Sequence, residues 1–204
     1  MTTSTSWTPL ASPPDEALPG SAVAARILAA AAGLFYAEGI RAVSADRVIA
    51  AAGVSKVTFY RHFGTKDELV VAYLRAIAAT ERAAVDQART EYPDQPLRVL
   101  ALYADSLGEQ SCRPGFRGCP FINAAAEYAD PAHPVRGVVA EHRAWLTDTA
   151  TALLSAAGSP EPDQAALELV LLRDGAMVAG YAGASDAGPA LLRAGRAVLA
   201  AHGL

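Results

Sequence analysis

Apolar residues recur along most of the chain at the three- and four-residue spacing of α-helices, and no sustained strand-like alternation occurs. Clusters of glycine and proline interrupt this pattern and mark the turns. The pattern predicts an all-α fold with about nine helices. These are placed roughly at residues 22–38, 45–52, 55–62, 66–91, 95–110, 119–129, 134–157, 162–183 and 188–202.

The first 20 residues differ from the rest of the chain. Residues 1–20 are rich in Ser, Thr and Pro and bury too little apolar surface to order themselves, so we expect a flexible tail. No signal peptide is recognisable, and the apolar stretches fall short of the roughly 20 residues that span a bilayer. Two cysteines are too few for a disulfide scaffold. We expect a cytoplasmic protein with no membrane association and no cofactor.

The second and third predicted helices flank a short turn that contains Gly53. Ser44 and Ser55 precede these two helices, where serine side chains cap free N–H groups. Two helices joined by a three-residue turn with glycine form the helix-turn-helix arrangement. Helices this short cannot bury their apolar faces alone, so the first helix and the start of the fourth must support them.

The distribution of charge points to the same region. The net charge is −4, which by itself argues against binding to nucleic acid. However, residues 41–66 contain five basic residues and one acid, and they hold both lysines of the chain, Lys56 and Lys66. The chain from residue 76 onward is acidic. A basic module joined to an acidic body predicts that a polyanion binds the module.

The third helix carries the candidate DNA-reading face. Phe59 and Phe63 lie four residues apart and face a small core, which leaves the opposite face basic and aromatic. Arginine binds guanine edges or phosphates, and small apolar groups contact the thymine methyl. The residues on this opposite face are Lys56, Val57, Tyr60 and Arg61.

Two positions flank this face. Ser44 presents a helix N-terminus that suits a phosphate, and Lys66 is placed for the same DNA backbone. The alternatives are that Tyr60 covers the small core, and that Arg61 and His62 are ordinary surface residues. The combination favours DNA binding more strongly than any single member does.

Several runs in this region resemble the DNA-binding domain of the TetR (tetracycline-repressor-like) family of transcriptional regulators. They are residues 35–39, Ser44, Val48, AAGVS at 51–55, TFYRHF at 58–63 and KDEL at 66–69. The resemblance covers about residues 22–75. It implies a homodimer with a three-helix DNA-binding domain, at residues 21–68, and a domain for ligand binding and dimerisation, at residues 69–204.

The resemblance also implies which residues touch double-stranded DNA. Thr58, Tyr60, His62 and Lys66 would contact mostly phosphates. Lys56, Val57 and Arg61 occupy variable positions and would read bases. The full predicted set is Ser44, Arg47, Ser55, Lys56, Val57, Thr58, Tyr60, Arg61, His62 and Lys66. We expect a repressor that a small-molecule effector releases from a palindromic operator.

Residues 112–128, CRPGFRGCPFINAAAEY, are the most unusual part of the body. The run GCPFINAAAE also resembles a stretch in the C-terminal domains of some TetR-family members. An effector pocket would use polar contacts and an aromatic lining. The candidate residues are Tyr103, Phe121, Asn123, Glu127, Trp145, Met177 and Tyr181. The alternative is that Asn123 bridges neighbouring helices and the aromatic residues are plain core.

Two further clusters invite a chemical interpretation. Cys112 and Cys119 flank the Gly- and Arg-containing loop at residues 113–118. They could form a thiol switch, although buried or inert thiols are the preferred interpretation. His133, Glu141 and His142 have a spacing too irregular for a metal site, and solvated helix residues are the preferred interpretation.

The last two long helices are apolar nearly all round, so each must be buried from several sides. A second copy of the chain is the simplest cover for them. Two helices from each copy would form a four-helix bundle about a two-fold axis.

The sequence leaves two other function classes open. One is an all-helical enzyme with a site around Cys119, Asn123 and Glu127, but no nucleophile–base pair, phosphate loop or metal motif supports it. The other is a helical protein-interaction module without DNA binding. The sequence favours a DNA-binding regulator that is not an enzyme.

Overall fold

The structure, a computed structural model, describes residues 21–204, so the predicted tail at residues 1–20 lies outside it. The described residues form nine α-helices and no strand. The helices are α1 (Ala22–Glu38), α2 (Ala45–Ala52), α3 (Lys56–His62), α4 (Lys66–Glu91), α5 (Pro96–Ser111), α6 (Pro120–Glu127), α7 (Pro134–Ala156), α8 (Pro162–Tyr181) and α9 (Ala187–Ala201). The prediction of an all-α fold is confirmed.

The chain folds into two compact units that are not contiguous in sequence. The first unit runs to Arg82 and also takes in Pro120–Ala140. The second unit comprises Ala83–Cys119 and Glu141–Leu204. Helices α4 and α7 therefore each contribute residues to both units.

The first unit is built around apolar side chains from α1 to α4. Ile27, Val48, Phe59 and Leu74 are fully buried. The ring of Phe35 packs edge-on against Tyr73 on α4, with ring centroids 5.7 Å apart. Helix α1 and the start of α4 thus supply the support that the two short helices need.

The second unit includes a close crossing of α5 and α9. A Cβ atom on Gly188 would lie only 2.7 Å from the Cα of Gly108, so the two helices meet backbone against backbone. Residues of α7 and α8 form a further apolar cluster in this unit, in which Ala150, Leu154 and Ala165 are buried.

Helix α8 leaves one apolar face exposed. Leu167, Leu171, Val178 and Tyr181 are each more than half exposed. The expectation that α8 is covered on several sides is therefore not met within a single chain. Within the described part of the chain, no helix has the length and apolarity needed to cross a bilayer.

Candidate nucleic-acid interface and ligand cavity

The turn between α2 and α3 depends on glycine. Gly53 adopts the left-handed conformation, with φ 61° and ψ 41°, where a side chain is strained. Its N–H donates to the carbonyls of Ile49 and Ala50, and the N–H of Val54 donates to Ile49. These bonds end α2 and turn the chain directly into α3.

Serine side chains cap both helices of the motif, as the sequence predicts. The Oγ of Ser44 accepts the N–H of Arg47 at 3.3 Å, and the Oγ of Ser55 accepts the N–H of Thr58 at 3.1 Å. The hydroxyls of Ser55 and Thr58 are also 2.8 Å apart. Because the Ser55 hydroxyl satisfies a free N–H group of α3, it fixes the start of that helix.

Helix α3 buries one face and exposes the other. Phe59 is fully buried, and its ring lies 5.1 Å from Tyr60 and 6.3 Å from Phe63, measured between centroids. Val57 is 78% exposed and Tyr60 is 43% exposed. Lys56 and Arg61 are exposed as well. The structure therefore brings the four residues of the predicted reading face together at the surface.

The remaining predicted DNA contacts lie around this helix. Ser44 and Ser55 are exposed, whereas Thr58, His62 and Lys66 are partly buried. The amine of Lys66 lies 5.9 Å from the centroid of the Phe35 ring. Burial lowers the pKa of Lys66, and the nearby carboxylate of Asp67 opposes that shift.

Two of the predicted DNA-contacting cations are already paired with carboxylates. Arg47 forms a bidentate ion pair with Glu38, at 2.6 and 2.7 Å. Lys56 lies 3.4 Å from the carboxylate of Asp46. Sequence reasoning missed both acids as part of the site. The Glu38–Arg47 pair joins the end of α1 to α2 and leaves no periodic signal in the sequence.

Glu127 binds backbone in the first unit. Its carboxylate oxygens accept the N–H groups of Ile40, at 2.9 Å, and Arg41, at 2.6 Å. These two residues lie in the loop between α1 and α2. The effector-binding role predicted for Glu127 stays a prediction, and the contact that the structure gives it is to this loop.

A second polar contact ties α6 and its following loop to α4 in the same unit. The hydroxyl of Tyr128 donates to Asp67 at 2.8 Å, and Nε2 of His133 lies 3.3 Å from the other oxygen of that carboxylate. Burial, and then the hydrogen bond to Asp67, raise the pKa of Tyr128. Glu127 therefore binds the α1–α2 loop, and Tyr128 and His133 bind the start of α4, all within the first unit.

The other predicted effector contacts fall into both units. Phe121, buried, and Asn123, partly buried, belong to the first unit together with Glu127. Tyr103, Trp145, Met177 and Tyr181 belong to the second unit. Met177 is buried, and Tyr181 is exposed with the guanidinium of Arg117 5.3 Å from its ring centroid.

The second unit contains a cavity of about 70 Å³. Two of the predicted effector contacts, Tyr103 and Trp145, line it. The rest of the wall is mostly aliphatic, from Val85, Val99, Leu100, Leu146, Thr149, Ala150, Leu153, Leu169 and Val170, with one cation, Arg173.

Sequence reasoning did not foresee the role of Arg173. This side chain is only 4% exposed. It donates to the Tyr103 hydroxyl at 3.3 Å, to the Cys119 sulfur at 3.3 Å and to Asp174 at 3.0 Å. Asp174 also binds Arg143 at 2.7 Å. An arginine in an apolar helix is the only local signal, because two of its three partners, Tyr103 and Cys119, lie 70 and 54 positions away in sequence.

The cysteine and histidine clusters now have definite environments. Cys119 is buried and Cys112 is exposed, and both are free thiols. His142 is only 1% exposed, so the expectation that it is solvated was wrong. Its position on the inner side of α7 explains this, since its ring packs near Trp145 with centroids 5.5 Å apart. Among the described residues, no three His, Cys, Asp or Glu side chains gather in a way that could hold a metal ion.

Known proteins resemble the chain at two levels. Residues 27–73 match the family model described as bacterial regulatory proteins, tetR family. The chain is also 43% identical to SCO4454, a TetR-family transcriptional regulator from Streptomyces coelicolor. That likeness covers 88% of this chain and 95% of SCO4454, with a TM-score of 0.82.

The chain belongs to the TetR family.

Two further solved structures extend the comparison of the TetR fold. One is sav143, a putative TetR transcriptional regulator from Streptomyces avermitilis, at 26% identity and a TM-score of 0.70, covering 90% of this chain and all of that one. The other is the regulatory protein TetR from Rhodobacter sphaeroides, at 24% identity and a TM-score of 0.75, covering 86% of this chain and 98% of that one. The second shows the fold alone. The sequence has no significant match among curated proteins.

Membership of the TetR family makes the protein a transcriptional regulator with a DNA-binding helix-turn-helix, and not an enzyme. The family model spans α2, the turn and α3, the elements that carry the exposed face described above.

Proposed function

We propose that the protein is a homodimeric repressor that binds a palindromic operator through α3 and leaves it when a small molecule binds in the second unit. The observation that carries the proposal is the exposed face of α3. Val57, Tyr60 and Arg61 project from a helix whose other side is anchored by the buried Phe59. Anchoring matters because a base-reading helix must enter the major groove as a rigid element.

The chemistry of this face suits a base-reading role. An arginine such as Arg61 can donate two hydrogen bonds to the edge of one guanine. Val57 offers an apolar contact for a thymine methyl. The capped N-terminus of α2, at Ser44, suits a phosphate. The predicted contact set thus divides into base readers on α3, at Lys56, Val57 and Arg61, and phosphate contacts, which lie partly on α3 itself and partly on α2 and α4.

The exposed face of α8 supports a homodimer. Leu167, Leu171, Gly175 and Val178 follow one another at spacings of four, four and three residues, and all four are exposed. An apolar stripe of this kind on a soluble helix marks an interaction site. In a two-fold dimer the same stripe would serve both copies, and the two α3 helices would read half-sites about 34–36 Å apart.

The cavity of the second unit supports a small-molecule effector. Its volume of about 70 Å³ is well below the roughly 300–1,000 Å³ of most ligand pockets. An effector must therefore be small, or it must push apart the helices that line the cavity. Such a displacement would alter DNA affinity through the helices that contribute residues to both units, α4 and α7, of which α4 follows α3 directly in the chain.

Selection of bound fragments from random DNA tests the central part of the proposal. We expect a palindromic sequence, because a two-fold dimer reads two equal half-sites. Arg61→Ala should then weaken operator binding by about 1–3 kcal/mol, roughly 5- to 150-fold, for each half-site, and relax the preference at one position of each half-site.

The control for this variant is Arg89→Ala, which removes an equally exposed arginine from the far end of α4. Arg89→Ala should leave the selected sequence and its affinity unchanged. Operator binding that survives both Arg61→Ala and Tyr60→Ala at full strength would contradict the assignment of α3. Selection that enriches no sequence would favour an interaction module without DNA binding.

A fluorescence titration tests the effector. The chain has two tryptophans, Trp7 and Trp145, and only Trp145 lines the cavity. In a Trp7→Phe variant, small apolar compounds that enter the cavity should change the emission of Trp145 and lower operator affinity together. A compound that changes the emission without altering operator affinity would contradict release by ligand.

A further inference from the structure

The pairing of Arg47 with Glu38 is the strongest ion pair at the predicted DNA-binding surface. Nη1 and Nη2 of the guanidinium each meet one carboxylate oxygen, at 2.6 and 2.7 Å. This fork-to-fork geometry is the most favourable for an arginine and a carboxylate. The hydrogen bond to Arg47 lowers the pKa of Glu38, and the same bond raises the pKa of Arg47.

The second ion pair at this surface is weaker. Lys56 and Asp46 approach at one point only, 3.4 Å apart, and their side chains are 65% and 75% exposed. The side chains of Arg47 and Glu38 are 49% and 39% exposed. Of the two acids, Glu38 therefore makes the closer ion pair with a cation of the predicted DNA contact set.

Non-specific DNA binding depends on cations that are available to phosphates. Each phosphate that a protein neutralises releases counterions and steepens the dependence of affinity on salt by about 0.9 in a log–log plot. An arginine held by a carboxylate adds no net charge to this interaction. To bind a phosphate, Arg47 would have to exchange Glu38 for it, and the released carboxylate would then repel the DNA backbone.

We propose that Glu38 limits the sequence-independent affinity of this regulator for DNA by holding Arg47 in a bidentate ion pair. The inference rests on the proposed DNA-binding role of α3 and adds a restraint that this role does not require. Glu38 is a positioning residue here, since it acts through Arg47 and has no part in reading bases. Its effect is to keep the free protein from being retained by phosphates at sites that lack the operator sequence.

The test compares wild type, Glu38→Gln, Arg47→Gln and the double variant. Fluorescence anisotropy would measure the binding of each to the selected operator and to a shuffled duplex, between about 50 and 200 mM KCl. For the shuffled duplex, Glu38→Gln should steepen the salt dependence by about 0.9 per protomer, or about 1.8 for a dimer with both protomers on the DNA, and tighten binding by up to about eightfold per protomer at 0.1 M, the effect of one added phosphate contact in each. In the Arg47→Gln background, the same substitution should leave the salt dependence unchanged.

A charge-matched control separates the local pair from net charge. Glu109→Gln removes an exposed carboxylate from α5, and it should leave the salt dependence as in wild type. An equal steepening in Glu109→Gln would overturn the proposal, because the effect would then come from overall charge. So would a steepening that persists without Arg47.

The remaining outcomes also decide the matter. A Glu38→Gln variant that loses operator affinity without any change of salt dependence would show that the pair only fixes α1 against α2, and would overturn the proposal. A wild-type protein that binds the operator, with Glu38→Gln indistinguishable from it, would overturn this inference and leave the proposed function standing. A wild-type protein that binds neither duplex would overturn both.

Discussion

The crossing of α5 and α9 allows a quantitative prediction. A Cβ atom on Gly188 would lie 2.7 Å from the Cα of Gly108, whereas a Cβ atom on Gly108 would lie 3.3 Å from the Cα of Gly188. Carbon atoms in contact are about 3.5–4.0 Å apart. Gly188→Ala therefore requires the two backbones to separate by roughly 1 Å, and Gly108→Ala by only a few tenths of an ångström.

These distances set the expected losses of stability. Overpacking a well-packed site costs about 1–3 kcal/mol, and alanine in a helix regains about 0.5–1 kcal/mol relative to glycine. The obstacle at Gly188 is main chain, which cannot rotate away, so we expect a net loss of about 2 kcal/mol for Gly188→Ala. Gly108→Ala should lose less than about 1 kcal/mol.

The control is Gly137→Ala. Gly137 is exposed on α7, and a Cβ atom there would meet no atom within 4 Å. This variant should gain about 0.5–1 kcal/mol from helix propensity alone. The same Gly→Ala change is therefore expected to lower the free energy of unfolding at Gly188 and to raise it at Gly137.

Thermal unfolding followed by circular dichroism measures the series. For a chain of this length, each kcal/mol shifts Tm by about 2–4 °C, so Gly188→Ala should lower Tm by about 4–8 °C. Protein concentration must be the same throughout, because the Tm of a dimer depends on it. A Gly188→Ala protein as stable as wild type, or less affected than Gly108→Ala, would refute the reasoning from backbone contact.

Three further predictions concern other contacts. Glu127→Ala removes two charge-assisted hydrogen bonds from the α1–α2 loop, so hydrogen exchange of the two loop amides should accelerate by at least about tenfold, equivalent to about 1.4 kcal/mol. Leu171→Glu places a charge on the exposed apolar face of α8 and should convert a dimer to a folded monomer in sedimentation experiments. The hydrogen bond to His202 lowers the pKa of Glu168, so its contribution to stability should be present at neutral pH and lost as pH falls below about 4.3. Glu168→Gln should flatten that part of the pH profile.

The first two of these predictions have matched controls. Glu141→Gln removes an exposed carboxylate from α7 and should leave exchange in the α1–α2 loop unchanged. Ala140→Glu adds a charge to α7 and should leave the sedimentation of the protein as it is. Unchanged loop exchange in Glu127→Ala, a Leu171→Glu protein of wild-type mass, or an acid profile untouched by Glu168→Gln would each contradict the corresponding contact.

The helices of the fold could be predicted from local signals. Ser44 and Ser55 mark helix starts because a serine hydroxyl caps free N–H groups, and Gly53 marks a turn because only glycine adopts its backbone conformation without strain. The amphipathic spacing around Phe59 then indicated which side of α3 faces outward. All of these signals act within a few residues of the feature that they specify.

The long-range contacts gave no such signal. Glu127 binds an N–H group 87 positions away in sequence, and Arg173 donates to Tyr103 across 70 positions. Neither contact changes local periodicity or composition. The sequence therefore predicts an effector contact for Glu127 without indicating its partner in the α1–α2 loop, and it does not indicate that Arg173 is buried. A polar residue on an otherwise apolar helix indicates that a partner exists, but the sequence alone does not identify that partner.

The first unit is assembled from two separate stretches of chain, and this affects how the regulator could be recombined. Glu127 and Tyr128 bind the α1–α2 loop and α4 from a segment beyond Arg82. A hybrid protein that received only the N-terminal helices of a relative would set these two side chains against a foreign loop. Exchange of DNA specificity between such proteins therefore calls for three crossover points, after Arg82, before Pro120 and after Ala140, so that residues 120–140 are exchanged together with the helices that they bind.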